Sequence, residues 1–208
     1  DDKNPQQDRR TFLKSVTAIA TAGAASSIAV AGSPSQELKQ VKPRSGQTMI
    51  DYVAPKLAGV RFGVIGTGER GSSLLPLLLG IPDVDLIAVC DTYPISLDNA
   101  KSVIVKSGKQ GVDVYTGGDY SYREMLERDD IDAVLIATPW HWHAPMSIDA
   151  MKSGKHAFVE VPMATTIEDM WQMVEVSESM RMNCMMMENV CYGRDEMMVL
   201  NMVQRGLF

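Results

Sequence analysis

Cysteine, basic charge and long apolar runs are all scarce in this sequence, and each shortage excludes something. Three cysteines, Cys90, Cys184 and Cys191, stand among 208 residues. An odd and widely spaced set offers no disulfide framework. No Cys-x-x-Cys pair occurs, so zinc-ribbon and iron–sulfur chemistry lacks its ligands. Cys90 and Cys184 fall in apolar, strand-like runs, where a thiol packs as a small inert hydrophobe. Lysine and arginine number 20 against 26 aspartates and glutamates, a formal net charge of -6. That balance argues against nucleic acid and anionic membrane surfaces as partners. No stretch of roughly eighteen apolar residues escapes polar interruption, so no transmembrane helix is expected. What is present, with 45% hydrophobic residues, suffices for one fair-sized domain with a buried core and hardly for two. There is no internal repeat.

The chain opens on Asp1 rather than Met and stops at Gly206-Leu207-Phe208 after a helical pattern, which reads as part of a longer protein. Asp8-Arg9-Arg10-Thr11-Phe12-Leu13-Lys14 precedes a soft apolar run from Val16 to Val30, and Ala29-Val30-Ala31 supplies small residues for a peptidase. Basic, apolar and small-residue regions in that order form an export signal over residues 1–31. The paired arginines before Phe-Leu-Lys resemble a twin-arginine leader, which carries proteins across already folded. An ordinary amphipathic helix is the plainer alternative. Residues 32–58, rich in Pro, Gln, Lys and Ser, read as a surface linker or arm.

From Val60 onward short Val- and Ile-rich runs alternate with helical patterns. Strands are expected at Val60–Ile65, Asp85–Cys90, Val112–Tyr115, Ala133–Ala137, Ala157–Val161 and Asn183–Met187. Helices are expected at Gly71–Leu79, Ile95–Ser107, Tyr122–Glu127, Pro145–Ser153, Ile167–Met180 and Arg194–Arg205. Such alternation predicts an α/β fold, a doubly wound parallel sheet of the Rossmann type, over residues 59–188.

Phe62-Gly63-Val64-Ile65 runs straight into Gly66-Thr67-Gly68-Glu69-Arg70-Gly71. A Gly-x-Gly-x-x-Gly between a strand and a helix is a dinucleotide fingerprint. Gly66 permits the tight turn, Gly68 lets backbone approach a diphosphate, and Gly71 lets helix and strand pack closely. The helix N-terminus offers N–H groups to the phosphates. Asp91 ends the next strand and can accept both ribose hydroxyls, while it repels a 2′-phosphate. Thr92 and Tyr93 supply no cation to offset that repulsion, so NAD is expected rather than NADP. A Gly-rich structural turn with a helix-capping Asp is the alternative.

Ala137-Thr138-Pro139-Trp140-His141-Trp142-His143-Ala144-Pro145 follows a buried strand at the level where this fold places its ligand crevice. Its indoles and imidazoles are placed to meet a cofactor, or are plain loop residues. With only His156 besides, no metal set is expected. Gly154-Lys155-His156-Ala157-Phe158-Val159-Glu160-Val161-Pro162 ends a further strand with an acid and a proline. The many methionines are read as core filler, Trp171 as core or a domain contact, and Asp129, Asp130 and Asp132 as a solvated turn.

The Gly66–Gly71 fingerprint, Ala137-Thr138-Pro139 with His143, and Gly154-Lys155-His156 leading to Glu160-Val161-Pro162 resemble the Gfo/Idh/MocA family of sugar oxidoreductases. Dehydrogenases of that family usually carry Glu-Lys-Pro, whose lysine helps move the proton of the oxidised hydroxyl. Here Val161 stands in the middle. Thr138-Pro139-Trp140 through His143, Glu160-Val161-Pro162, and Glu188-Asn189-Val190-Cys191-Tyr192 up to Asn201-Met202-Val203 resemble glycoside hydrolase family 109. That resemblance implies an exported, NAD-dependent α-N-acetylgalactosaminidase acting on a small-molecule glycan. It implies NAD contacts at Glu69, Arg70, Asp91, Trp140, His143, Glu160, Val161 and Asn189, with Tyr192 towards the sugar. It places the main catalytic residues in a C-terminal α+β domain beyond Phe208, so residues 189–208 begin the connection to it. The implied chemistry is oxidation at C3, elimination of the aglycone, addition of water and return of the hydride, redox-neutral overall. A sugar dehydrogenase of the wider family and a truncated, inactive NAD-binding module are the alternatives. The sequence also admits a homo-oligomer.

Overall fold

The computed structural model describes residues 48–50 and 52–207. The leader expected at 1–31 and most of the expected arm lie outside the described residues. Residues 45–208 form one unit. Its six strands are β1 (Val60–Ile65), β2 (Val84–Cys90), β3 (Asp113–Tyr115), β4 (Ala133–Ile136), β5 (His156–Val159) and β6 (Cys184–Met186). Its helices are α1 (Glu69–Leu79), α2 (Pro94–Lys106), α3 (Ser121–Leu126), α4 (Trp140–Lys152), α5 (Ile167–Met180) and α6 (Arg194–Gln204). The sheet order is β3-β2-β1-β4-β5-β6, and every pair is parallel.

The chain runs outward from β1 to one edge, then returns to the other side of β1. That reversal creates the switch-point crevice of a doubly wound sheet between β1 and β4. Register sharpens the effect. Ile65 lies opposite Cys90 and Ile136, and Ile136 lies opposite Val159. The turns that begin at Gly66, Asp91, Ala137 and Glu160 therefore open side by side at one level.

Both sheet faces are covered, which explains why β4 is buried at all four positions and reads as continuous apolar sequence. On one face Val64, Leu74, Leu75, Val89, Leu97 and Leu135 pack under α1 and α2. On the other Ile65, Tyr122, Met125, Ile136, Met151 and Met173 pack under α3, α4 and α5. Met125, Met146, Met151 and Met173 are core filler as expected, whereas Met197 and Met198 of α6 are exposed. Trp171 is half-exposed.

Two helices begin two or more residues earlier than the sequence predicts. α1 starts at Glu69, directly after the second glycine. α4 starts at Trp140, with Pro145 inside it. Pro139, at φ -58° and ψ 145°, sets the extended entry to α4, so the first turn is formed before the proline that a sequence reading takes as the start. The acidic turn also differs from expectation. Asp132 accepts from Arg61 Nε at 2.9 Å and Nη2 at 2.7 Å. Asp130 accepts from Arg128 Nε at 2.7 Å and Nη2 at 2.6 Å. These bidentate pairs hold both carboxyls below the usual carboxylate range.

Candidate functional site: the crevice at the strand ends

The glycine turn is built by exclusion. Gly66 has φ +88°, and a Cβ there would lie 2.5 Å from the Ala137 carbonyl oxygen. A Cβ on Gly71 would lie 1.9 Å from the Gly66 oxygen. Neither position tolerates a side chain, because α1 leaves the turn in direct contact with the backbone of β1 and β4. Gly68 is the opposite case: a Cβ there meets nothing within 4 Å. It caps α1 without any side-chain hydrogen bond. The first-turn N–H groups of α1 have no intrahelical acceptor, and open space lies above Gly68. This is a cradle that fits an anionic diphosphate.

Asp91 is fixed to the same turn. Its Oδ2 accepts from the Thr67 N–H at 2.6 Å and from the Thr67 hydroxyl at 3.1 Å. Its Oδ1 accepts from the Tyr93 N–H at 2.8 Å. A carboxylate has about four acceptor positions; three are taken here, so Oδ1 keeps capacity for one ribose hydroxyl. The crevice above these groups measures about 350 Å³. Gly66, Gly68, Asp91, Thr138, Pro139 and Trp142 are among its lining, together with Ser96, Asp119 and Tyr122, and among the described residues no lysine or arginine lines it. The Cys90 thiol at its base is pushed up to about 12 by burial, with Asp91 adding to the effect.

None of the remaining expected site residues is among those that line this crevice. Glu69 and Arg70 occupy the exposed first turn of α1, and Arg70 Nε donates to Glu160 Oε1 at 2.8 Å. Glu160 is buried, and its Oε2 accepts from the Val161 N–H at 3.3 Å. Trp140 is 64% exposed, on the outer side of α4, whereas Trp142 lines the crevice. His143 is buried, with Nδ1 2.7 Å from the Pro162 oxygen and Nε2 2.7 Å from the Thr138 oxygen. Its ring sits between the β4–α4 turn and the turn after β5, with each nitrogen against a main-chain carbonyl. Val161, Asn189 and Tyr192 are exposed and outside the crevice lining.

The sequence reading missed Thr67, Ser96, Asp119 and Tyr122. Thr67 occupies a variable position of the fingerprint, and only the registered ends of β1 and β2 bring it to Asp91. Tyr122 is signalled by no motif; it is an aromatic on a six-residue helix. Among the described residues no group of three or more His, Cys, Asp or Glu could hold a metal ion, and no helix is long and apolar enough to cross a membrane.

Comparisons with known proteins agree with this geometry. The chain is 52% identical over 200 residues to an α-N-acetylgalactosaminidase of Shewanella oneidensis, covering 96% of this chain and 43% of that protein. It is 53% identical over 200 residues to a glycosyl hydrolase family 109 protein of Shewanella baltica, with the same coverage. It thus spans less than half the length of these curated relatives. The crystal structure of myo-inositol 2-dehydrogenase from Lactobacillus plantarum superposes with a TM-score of 0.61 at 26% identity, over 71% of this chain and 42% of that one. Residues 60–188 match the family model for the Gfo/Idh/MocA oxidoreductases, whose description is an NAD-binding Rossmann fold. With the glycine cradle, the anchored Asp91 and the switch-point crevice in place, the chain belongs to the Gfo/Idh/MocA oxidoreductase family.

Proposed function

We propose that this chain is the NAD-binding part of an exported glycosidase that hydrolyses terminal α-N-acetylgalactosamine. The observation that carries the reading is the 52% identity, along nearly the whole chain, to a protein named for that activity. Val161 supports it, since a valine cannot move the proton that an ordinary sugar dehydrogenase must transfer at this position. The leader-like residues 1–31 support export.

Bound NAD supplies reversible hydride removal at C3 of the sugar, which makes elimination of the aglycone and addition of water accessible. The chain's own residues hold and orient the dinucleotide. The α1 N-terminus and Gly68 receive the diphosphate. Asp91 accepts an adenosine ribose hydroxyl and, with Asp119 also in the lining and no lysine or arginine among the described lining residues, rejects a 2′-phosphate. Glu160, held by Arg70, and the tie through His143 fix the turn that carries Val161.

A redox-neutral cycle needs only one tightly held cofactor, which suits a compartment where NAD is not replenished. The test is the full-length protein with p-nitrophenyl α-N-acetylgalactosaminide. Release of p-nitrophenol by protein with co-purified NAD, without net NADH, is the expected result. Net NADH formed with a free sugar would replace this reading with a dehydrogenase. Failure to bind NAD would leave a degenerate module.

A further inference from the structure

The wall of the crevice contributed by α3 and α4 is aromatic, and it is held from behind. Tyr122 is 1% exposed and lines the crevice with Trp142. Their rings meet edge to face at 6.3 Å. Tyr120, just ahead of α3, packs edge-on against Trp142 at 5.4 Å and 82°. Both tyrosines are tied to one residue on α4. Asp149 Oδ2 accepts from the Tyr122 hydroxyl at 2.7 Å and from Arg123 Nε at 2.9 Å. Arg123 then lays its guanidinium over the Tyr120 ring, 4.6 Å from the centroid.

We infer that Asp149 is a positioning residue for the cofactor crevice, setting the Tyr120–Tyr122–Trp142 wall through Tyr122 and Arg123. Asp149 follows Trp142 by seven residues, about two helical turns, and so lies on the same face of α4. α3 spans six residues, too short to be rigid by its own hydrogen bonds, and depends on tertiary ties. One carboxylate supplies two of them, a hydroxyl bond and a guanidinium bond, both charge-assisted. Asp149 does not line the crevice itself. Removing it leaves a buried phenol without its acceptor and frees the cation that covers Tyr120. The wall then shares its volume with Asp91 in many geometries instead of one, and a dinucleotide must order it on binding.

The inference rests on the crevice being the NAD site, and the experiment separates the two. NAD affinity of the full-length protein is measured by titration at a temperature well below melting, with turnover at saturating NAD beside it. Asp149→Ala is expected to raise the NAD Kd about 5- to 30-fold, with turnover at saturation within about twofold of the parent. Tyr122→Phe keeps the ring and removes one tie, and Asp149→Asn keeps an acceptor for Tyr122 and loses the charge facing Arg123; both should fall between the parent and Asp149→Ala. These two milder variants decide the matter if Asp149→Ala does not fold. A lowered melting temperature with an unchanged Kd would overturn the inference and leave Asp149 a purely structural tie. A parent protein that binds no NAD would overturn the cofactor reading and this inference together.

Discussion

Arg70 Nε donates to Glu160 Oε1 at 2.8 Å, fastening the first turn of α1 to the turn that follows β5. The two residues are 90 positions apart in sequence and follow β1 and β5, the strands on either side of β4. Arg70 is nearly half exposed, whereas the Glu160 side chain is 12% exposed, so the acid depends on the pair more than the base does. Arg70→Ala should leave a buried carboxylate short of a donor and cost about 1–3 kcal/mol, read as a lower denaturant midpoint at constant slope. Arg70→Lys, a point charge on a flexible stem, should recover only part of that loss. Equal stability of parent and Arg70→Ala would show that solvent already satisfies Glu160.

The two outer glycines and the middle one should fail differently. Gly71→Ala places a methyl group 1.9 Å from a backbone oxygen, which requires α1 to move off the strand and should cost at least about 3 kcal/mol. Gly68→Ala meets no protein atom, and Gly68 already has φ -63°. It should melt close to the parent while losing NAD affinity. Thermal melts paired with NAD titration check both, and a Gly68→Ala protein with parental affinity would remove the cradle from that position.

Asp91→Asn replaces one acceptor oxygen by a donor beside the Thr67 or Tyr93 N–H. Losing a charged hydrogen-bond partner costs about 1.5–3 kcal/mol, which is roughly 10- to 150-fold in Kd. NAD should weaken by that order, and NADP should improve relative to NAD. Parallel titrations with the two dinucleotides give the ratio, and an unaltered ratio would mean Asp91 does not discriminate.

Thiol chemistry should separate the three cysteines. Burial pushes Cys90 up to about 12 and Cys184 up to about 11, so both remain protonated near pH 8, where alkylation needs the thiolate. Cys191 is exposed and should be the one modified by iodoacetamide in the native protein, with all three modified after unfolding. The linkage has a definite sign. A thiol whose pKa is raised on folding contributes stability that is complete below its unfolded value of 9.0 and declines as pH rises through the folded value. Stability should therefore hold through pH 8 and begin to fall from about pH 9. Native labelling of Cys90 would show that its cover opens.

Acid should act through the arginine pairs. Arg61 holds Asp132 below its ordinary 3.8, chiefly by their side-chain hydrogen bonds. A lowered carboxyl pKa contributes stability that is present above the unfolded value and is lost as pH falls through the folded one. Asp132→Asn should be less stable than the parent at pH 7 and approach it progressively as pH falls below the ordinary carboxylate value of 3.8. Denaturant titrations across that range test it, and a gap that persists in acid would assign the loss to packing.

Much of this architecture was legible in advance because period and punctuation agree. Every strand run lies within two residues of its expected ends, since two-sided burial makes β4 apolar throughout and leaves β1 and β5 one polar residue each, Arg61 and His156. The cradle was legible because three glycines have separate jobs at fixed spacing. The start of α4 was not, because Pro145 resembles a helix start and nothing local says that Pro139 already set the entry. Side-chain partners were less legible still. His143 and Glu160 appear in recognisable runs, but their bonding to Thr138, Pro162 and Arg70 is decided by strand register. The wall held by Asp149 has no motif, because its members come from two helices joined only in space.

The outermost strands, β3 and β6, are three residues each. A neighbouring molecule aligning along either rim would find only two or three main-chain groups to grip, against the five or six of an ordinary strand. Such brevity makes rim-to-rim pairing of the folded body unrewarding.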